Sequence, residues 1–492
     1  MAVTSLTFVG REGDMTSTIS PGSAVLDPEV PKADRAGKRA VKACRIPSQR
    51  ATAADRHAPS VSLPLRFILT GLTALYAGVG LLIVRPDVLS AYHYNQHILA
   101  ATHLFVLGWI CSIVMGSMYQ LVPVALETRL FSERLARWHF ALHTIGFLGM
   151  VGMFWVWDMK QVGHFGSIFG AGVVLFVINL GRTLARIPRW NVVAAGITSA
   201  LGWITITMLA GLYLAAAKCW NFSPFNPVAQ MHAHAHAGVA GFFVLMIVSV
   251  SYKLVPMFLL TELQSVRRAG WSIGLLNAGL LATFVTVLLG SAWKLAAAFG
   301  VIAGLASYGI EMRAMLRARK RRTLDWGLKY FLTAIGLLAP LSVLAVVLAW
   351  PWREPTPLLA QLENVYGVVA LLGVVTFAIL GMLYKIVPFL VWYASYSREI
   401  GRQKVPAVAD MYSTFWQAVG YWTYLAGLAA VVGATALESA PGVRWSACLL
   451  LASLAAWAVN LGRILSHWMR PRLEPLAPTP AVTSALSPQA RP

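Results

Sequence analysis

Long unbroken apolar runs alternate with short polar connections from residue 67 to residue 461. A bilayer core of about 30 Å needs about 20 consecutive apolar residues in a helix. Only helices and closed barrels satisfy every backbone polar group in lipid. The runs are Phe67–Val84, Ile98–Val124, His139–Trp157, Phe165–Leu180, Val192–Leu214 and His234–Val255, then Trp271–Leu289, Leu295–Ile310, Tyr330–Trp350, Val365–Val387, Phe415–Val432 and Trp445–Leu461. They predict an all-α polytopic membrane protein of about twelve transmembrane helices embedded in membrane lipid. Phe165–Leu180 and Leu295–Ile310 are short for a span.

Three of the runs match one another without a gap. They are HLFVLGWICSIVMGSMYQLVP from His103, HAGVAGFFVLMIVSVSYKLVP from His236 and VVALLGVVTFAILGMLYKIVP from Val368. Tyr119, Tyr252 and Tyr384 coincide, as do Gly108, Gly241 and Gly373, and Pro123, Pro256 and Pro388. These are the second, sixth and tenth spans, so the chain reads as three tandem four-helix units of about 65–190, 191–328 and 329–470. In this motif Gly permits close helix approach, Tyr and Lys anchor near the interface, and Pro closes the helix.

Charge sets the topology. Lys and Arg crowd the first 64 residues and every second loop afterwards: Arg129, Arg134 and Arg137; Arg182, Arg186 and Arg189; Arg267 and Arg268; Arg313 through Arg322; Arg398, Arg402 and Lys404; and Arg463, Arg470 and Arg472. Basic residues stay cytoplasmic, which puts both termini there and supports the count of twelve. The formal net charge of +21 therefore expresses topology, and no nucleic-acid partner is expected. With 58% hydrophobic and 12% charged residues a soluble domain is excluded. Residues 1–64 read as a disordered basic tail and 471–492 as a disordered Pro/Ala-rich tail. Cys44, Cys111, Cys219 and Cys448 are scattered, with no CxxC pair, so no disulfide framework or thiolate cluster is indicated.

The candidate chemistry lies in the histidines. His93, His97, His103, His164, His232, His234 and His236 all fall near the outer ends of spans or in outer loops. MHAHAHAG begins the sixth span; on a helix His232 and His236 share a face while His234 points elsewhere. His103 occupies the position of His236 in the first unit, so a pseudo-threefold arrangement puts the two at equal depth. Imidazole is the commonest metal ligand and a frequent haem-iron ligand, and an ionisable group at membrane depth is a functional candidate. The set His103, His234 and His236 is read as cofactor-binding, and His232, His234 and His236 as metal-binding. His139 and His143, four residues apart near the inner end of the third span, could hold a metal, but with no third ligand they read as interfacial polar residues.

The same residues resemble the haem–copper oxidase superfamily, subunit I, over about residues 67–470. That family has twelve helices in three arcs of four. Its second helix carries a low-spin haem ligand in a pattern like His103 to Tyr119-Gln-Leu-Val-Pro, closest to the nitric oxide reductase branch. HxH followed by Ser251, Tyr252 and Pro256 is similar to its tenth helix, where two histidines ligate two haems. Here HxH lies on the sixth span; the matching tenth-span positions are Tyr366 and Val368, and the seventh span offers Asn277 where the family pairs two histidines. The resemblance implies a b-type haem, copper as a further metal, an outer-face electron donor or partner subunit, and a bacterial inner membrane; the pseudo-threefold symmetry of the repeat puts the haem between His103 and His234 or His236. If the chain is an enzyme, the implied substrate is oxygen or nitric oxide. Two other classes stand beside this redox reading. One is a non-catalytic membrane protein handling copper, haem or nitric oxide stress. The other is a transporter, against which the prolines at span ends argue.

Overall fold

The computed structural model describes residues 60–92, 94–350 and 356–475. His57, His93 and most of both expected tails lie outside the described residues. Among the described residues twelve helices are long and apolar enough to cross a membrane: α1 Ser62–Val84, α2 Gln96–Ala125, α3 Glu133–Val156, α4 Met159–Leu184, α5 Val192–Trp220, α6 Pro227–Leu259, α7 Val266–Leu288, α8 Lys294–Arg317, α9 Trp326–Ala349, α10 Pro357–Tyr396, α11 Thr414–Ala436 and α12 Ala440–Met469. The chain is an integral membrane protein. Its short non-membrane elements are the 3₁₀ turns Pro86–Leu89 and Val408–Met411 and a two-residue strand pair, Gln403–Lys404 with Glu474–Pro475.

Both short apolar runs sit in full spans, α4 of 26 residues and α8 of 24. Hydropathy marks only the lipid-facing stretch, whereas the helix continues through polar turns at its ends. Helix starts follow capping chemistry. Asn95, Ser132, Asp158, Asn191, Asn226, Ser265, Asp325, Thr356 and Ser439 each accept a backbone N–H of the first turn, satisfying donors that have no partner within the helix.

The second, sixth and tenth helices form the interior. Their apolar windows are 72, 67 and 72% buried, against 17–50% for the other nine. Each contains a π-helical stretch: Leu104–Cys111, Ala237–Val244 and Val369–Val375. Each stretch starts one residue after the matched positions His103, His236 and Val368. Widened turns of this kind are frequent at functional sites. The Thr376 hydroxyl uses one, donating to the Leu371 carbonyl five residues back at 2.7 Å and accepting the Trp109 indole N–H at 3.0 Å, which ties α10 to α2.

Two expectations about the shared motif are corrected. Pro123, Pro256 and Pro388 lie inside their helices, and α10 runs on to Tyr396. Proline removes one ladder bond, and a helix packed among neighbours tolerates that loss. Tyr119, Tyr252 and Tyr384 are core residues, 0, 3 and 2% exposed, not interfacial anchors, because at these positions the inner helices face their neighbours and not lipid. Lys385 is not left to snorkel alone; its ammonium pairs with Asp325 at the start of α9.

A polar latch recurs at the Arg-rich ends. Asn179 on α4 accepts the Ser132 N–H at 3.0 Å and donates to the Ser132 carbonyl at 2.8 Å. Asn460 on α12 does the same to Ser413, at 2.8 and 3.1 Å. At the equivalent place on α8, Glu311 accepts the N–H groups of Gln264 and Ser265, at 2.7 and 3.0 Å, and the Arg268 guanidinium at 2.7 Å. In each case the fourth helix of a set of four fixes the start of the third.

Candidate functional site

Asn226 caps α6, accepting the N–H groups of Val228 and Ala229 at 2.9 and 3.2 Å, with Pro227 in the first turn. Helix therefore begins five residues before His232, and all three histidines of MHAHAHAG stand on a rigid element. Residues two apart on a helix are about 200° apart and residues four apart about 40°, so His234 points away from His232 and His236. His232 comes within 4.0 Å of Glu363 on α10. His236 faces Tyr366, also on α10, with ring centroids 5.9 Å apart. His234 turns to α5, where its Nδ1 lies 3.0 Å from the Thr207 carbonyl. On α2, His103 stacks on Phe154 of α3, centroids 4.4 Å apart and 29° between planes. All four line one cavity of about 720 Å³, together with Tyr366 and Glu363. Its walls are mainly apolar, and Lys218 and Lys294 line it near the helix ends opposite the Arg-rich loops.

Ring orientation decides what these histidines can do. His103 Nδ1 lies 2.7 Å from the Leu99 carbonyl, and His236 Nδ1 lies 2.7 Å from the His232 carbonyl. A carbonyl only accepts, so Nδ1 carries the proton in His103, His234 and His236. Each Nε2 then keeps a lone pair, the ligand form in which a backbone carbonyl holds the tautomer and raises the basicity of the other nitrogen. His103 on α2 and His234 on α6 line the same cavity. The sequence-matched pair His103 and His236 share the same bond four residues back, but His236 is directed at α10.

The predicted residues are thus brought to one cavity, but the metal set His232, His234 and His236 does not converge. Among the described residues no group of three or more His, Cys, Asp or Glu is placed to hold a metal ion. Asn277 on α7 accepts the Trp203 indole N–H at 2.9 Å and donates to the Ile273 carbonyl at 2.8 Å, so it serves packing. His97 lies beside Trp155 and His164 beside Gln161; neither lines the large cavity. His139 and His143 are not interfacial, as both are completely buried.

Sequence reasoning missed Glu363, Phe154, Thr207 and Gly211. Glu363 carried a signal, being a carboxylate one turn before Tyr366 at the start of an apolar run. The other three carried none, since a backbone carbonyl, a stacking phenyl and a space-making glycine are defined only by what packs on them. A Cβ on Gly211 would sit 2.9 Å from His234 Cε1.

Similarity to known proteins covers about a quarter of the chain. A family model described as Cytochrome C and Quinol oxidase polypeptide I matches residues 51–162. That stretch contains His103 and ends before α5. Similar curated proteins include a "Cytochrome c oxidase subunit 1 homolog, bacteroid" of Bradyrhizobium diazoefficiens, 34% identical over 73 residues, which are 15% of this chain and 13% of that protein. Another is a "Cytochrome c oxidase subunit 1 homolog" of Agrobacterium tumefaciens, 35% identical over 73 residues, 15% of this chain and 14% of that protein. The matched stretch therefore spans about one seventh of either relative.

Proposed function

We propose that this divergent haem–copper oxidase subunit I-like chain is a haem-binding redox protein of the bacterial inner membrane, with its Arg-rich face in the cytoplasm. One observation carries the reading. Three imidazoles around a single apolar cavity each have Nδ1–H tied to a backbone carbonyl, which leaves Nε2 as a ligand. The donor set fits a b-type haem held by His103 of α2 and His234 of α6, imidazoles from two helices that line the same cavity. His236 is a further imidazole directed toward α10.

When bound, haem supplies one-electron chemistry at a potential set by its ligands and surroundings. The chain's own residues position it. Phe154 keeps the His103 ring from rotating, Thr207 does the same for His234, and the apolar walls exclude water. Lys218 and Lys294 lie toward the face opposite the Arg-rich loops, so an electron donor or partner subunit would dock there. Oxygen and nitric oxide are the substrates implied by the resemblance.

A second reading has a specific observation in its favour. Neither α7 nor α10 supplies a histidine, and no three-ligand group accompanies the cavity among the described residues. A haem or nitric-oxide-handling protein without oxygen reduction needs neither. Turnover of oxygen or nitric oxide by the purified protein separates the two.

The test of haem binding is a reduced-minus-oxidised absorption spectrum of the protein purified from haem-replete cells. Paired low-spin bands are expected, and their absence would sink the proposal. Gly211→Val is expected to lower haem content about tenfold or more, because its side chain displaces the His234 ring, and outer-shell changes cost about 10–100-fold in metal affinity. Haem per chain, measured after extraction, checks it; wild-type content would exclude His234 as a ligand.

A further inference from the structure

We propose that His139 and His143 form a second, separate metal site, which takes one monovalent copper ion between His139 Nε2 and His143 Nδ1.

The two residues stand four apart on α3, facing α2 and α4, and neither is exposed at all. Their ring centroids are 5.6 Å apart with planes at 83°. One nitrogen of each ring is accounted for. His139 Nδ1 lies 2.9 Å from the Tyr119 hydroxyl, and His143 Nε2 lies 2.8 Å from the Ser112 hydroxyl. The other nitrogen of each, His139 Nε2 and His143 Nδ1, is buried without a hydrogen-bond partner. A buried polar atom left unpaired is unfavourable, and here two occur on neighbouring rings.

The fold does not require these histidines. Matching helix starts at Ser132, Ser265 and Ser413 places Ser272 and Leu276 on α7, and Gly420 and Tyr424 on α11, where α3 has His139 and His143. Matching the inner helices places Leu245 and Phe377 where α2 has Ser112. Tyr424 shows what packing alone needs at this place: its hydroxyl donates to the Leu372 carbonyl at 2.9 Å. In the first set the matching carbonyl is that of Leu107, reached by Ser112 at 3.5 Å. When Ser112 donates there, its oxygen accepts the His143 Nε2–H, and Nδ1 keeps a lone pair. The Tyr119 hydroxyl likewise can accept the His139 Nδ1–H. Two buried lone pairs on neighbouring rings then have no donor.

The surroundings select the ion. Metal–imidazole bonds of about 2 Å set two opposed nitrogens about 4 Å apart, which rings 5.6 Å apart can reach. Two ligands suffice for a linear d¹⁰ monovalent copper ion, whereas zinc takes four and divalent copper a tetragonal set. Phe67, Phe147, Phe169 and Phe176 ring the pair at 5.1–5.7 Å, shutting out the water that a divalent ion would need. Gly172 lets α4 come close: a Cβ there would lie 3.3 Å from His139 Cδ2.

The experiment uses the full chain purified in detergent, loaded anaerobically with glutathione-buffered monovalent copper, dialysed and assayed by elemental mass spectrometry. His139→Ser and His143→Leu introduce the residues that α7 carries at these places, so the fold accommodates both, and thermal unfolding confirms it. About one copper per chain is expected in the wild type, with loss of at least tenfold in either variant and haem content unchanged. X-ray absorption is expected to show two nitrogen neighbours in linear geometry. Copper retained by both variants and lost from His232→Ala/His236→Ala would overturn the proposal, as would a wild-type protein that binds none. Haem is scored separately on the same samples, so failure here is distinct from failure of the haem reading.

Discussion

His103→Ala is expected to purify with at least tenfold less haem than the wild type, and His234→Ala to do the same. The ring of His103 is held from two sides, by the Leu99 carbonyl at Nδ1 and by the Phe154 face. Its Nε2 is the atom directed to the cavity. Removing the imidazole removes the ligand and strands nothing, because the Leu99 carbonyl keeps its place in the helix ladder. Fold and haem content are therefore separable: size-exclusion profile and helicity should stay at wild-type values while the absorption bands vanish. His236→Ala should retain the His103-linked bands, since His236 faces Tyr366. Full haem content in His103→Ala would take α2 out of the site, and with it the link to the region that matches the oxidase family model.

Glu311→Ala should produce the largest loss of stability among single latch variants, about 3–5 kcal/mol, read as a drop in thermal unfolding temperature followed by tryptophan fluorescence. Glu311 is wholly buried and binds three donors, the N–H groups of Gln264 and Ser265 and the Arg268 guanidinium. Alanine leaves two backbone donors and a cation unpaired at the start of α7. Arg268 is 35% exposed and can regain water, so most of the loss comes from the two N–H groups and the vacated volume. Glu311→Gln should lose only about 1–2 kcal/mol, because an amide oxygen still accepts both N–H groups. Asn179 and Asn460 hold the matching places with neutral amides. A loss below about 1 kcal/mol in Glu311→Ala would show that the latch does not set the position of α7.

The span count was legible because lipid imposes a length and a polarity on every helix, one segment at a time. The match of Tyr119, Tyr252 and Tyr384 likewise identified the three inner helices, since equivalent packing selects equivalent residues. The same logic misjudged Pro123, Pro256 and Pro388 and the three tyrosines. Their behaviour depends on whether neighbouring helices or lipid surround them, which no local window contains. His139 and His143 were misjudged for that reason as well: four-residue spacing near a span end fits an interface, and only the packing of α2 and α4 against α3 buries them.

What the sequence determined by itself is the all-α membrane class, the twelve spans and the gathering of His103, His234 and His236 as candidate ligands. Each follows from residue type and periodicity along one helix. What only the tertiary structure decided is which nitrogens are available and to whom. The Thr207 carbonyl turns His234 toward α5, Tyr366 receives His236, and His232 goes to Glu363, so three histidines that adjoin in sequence diverge in space. A helix fixes the direction of each side chain about its own axis, but the partner it meets comes from chain more than 25 residues away, placed there by the packing of the whole bundle.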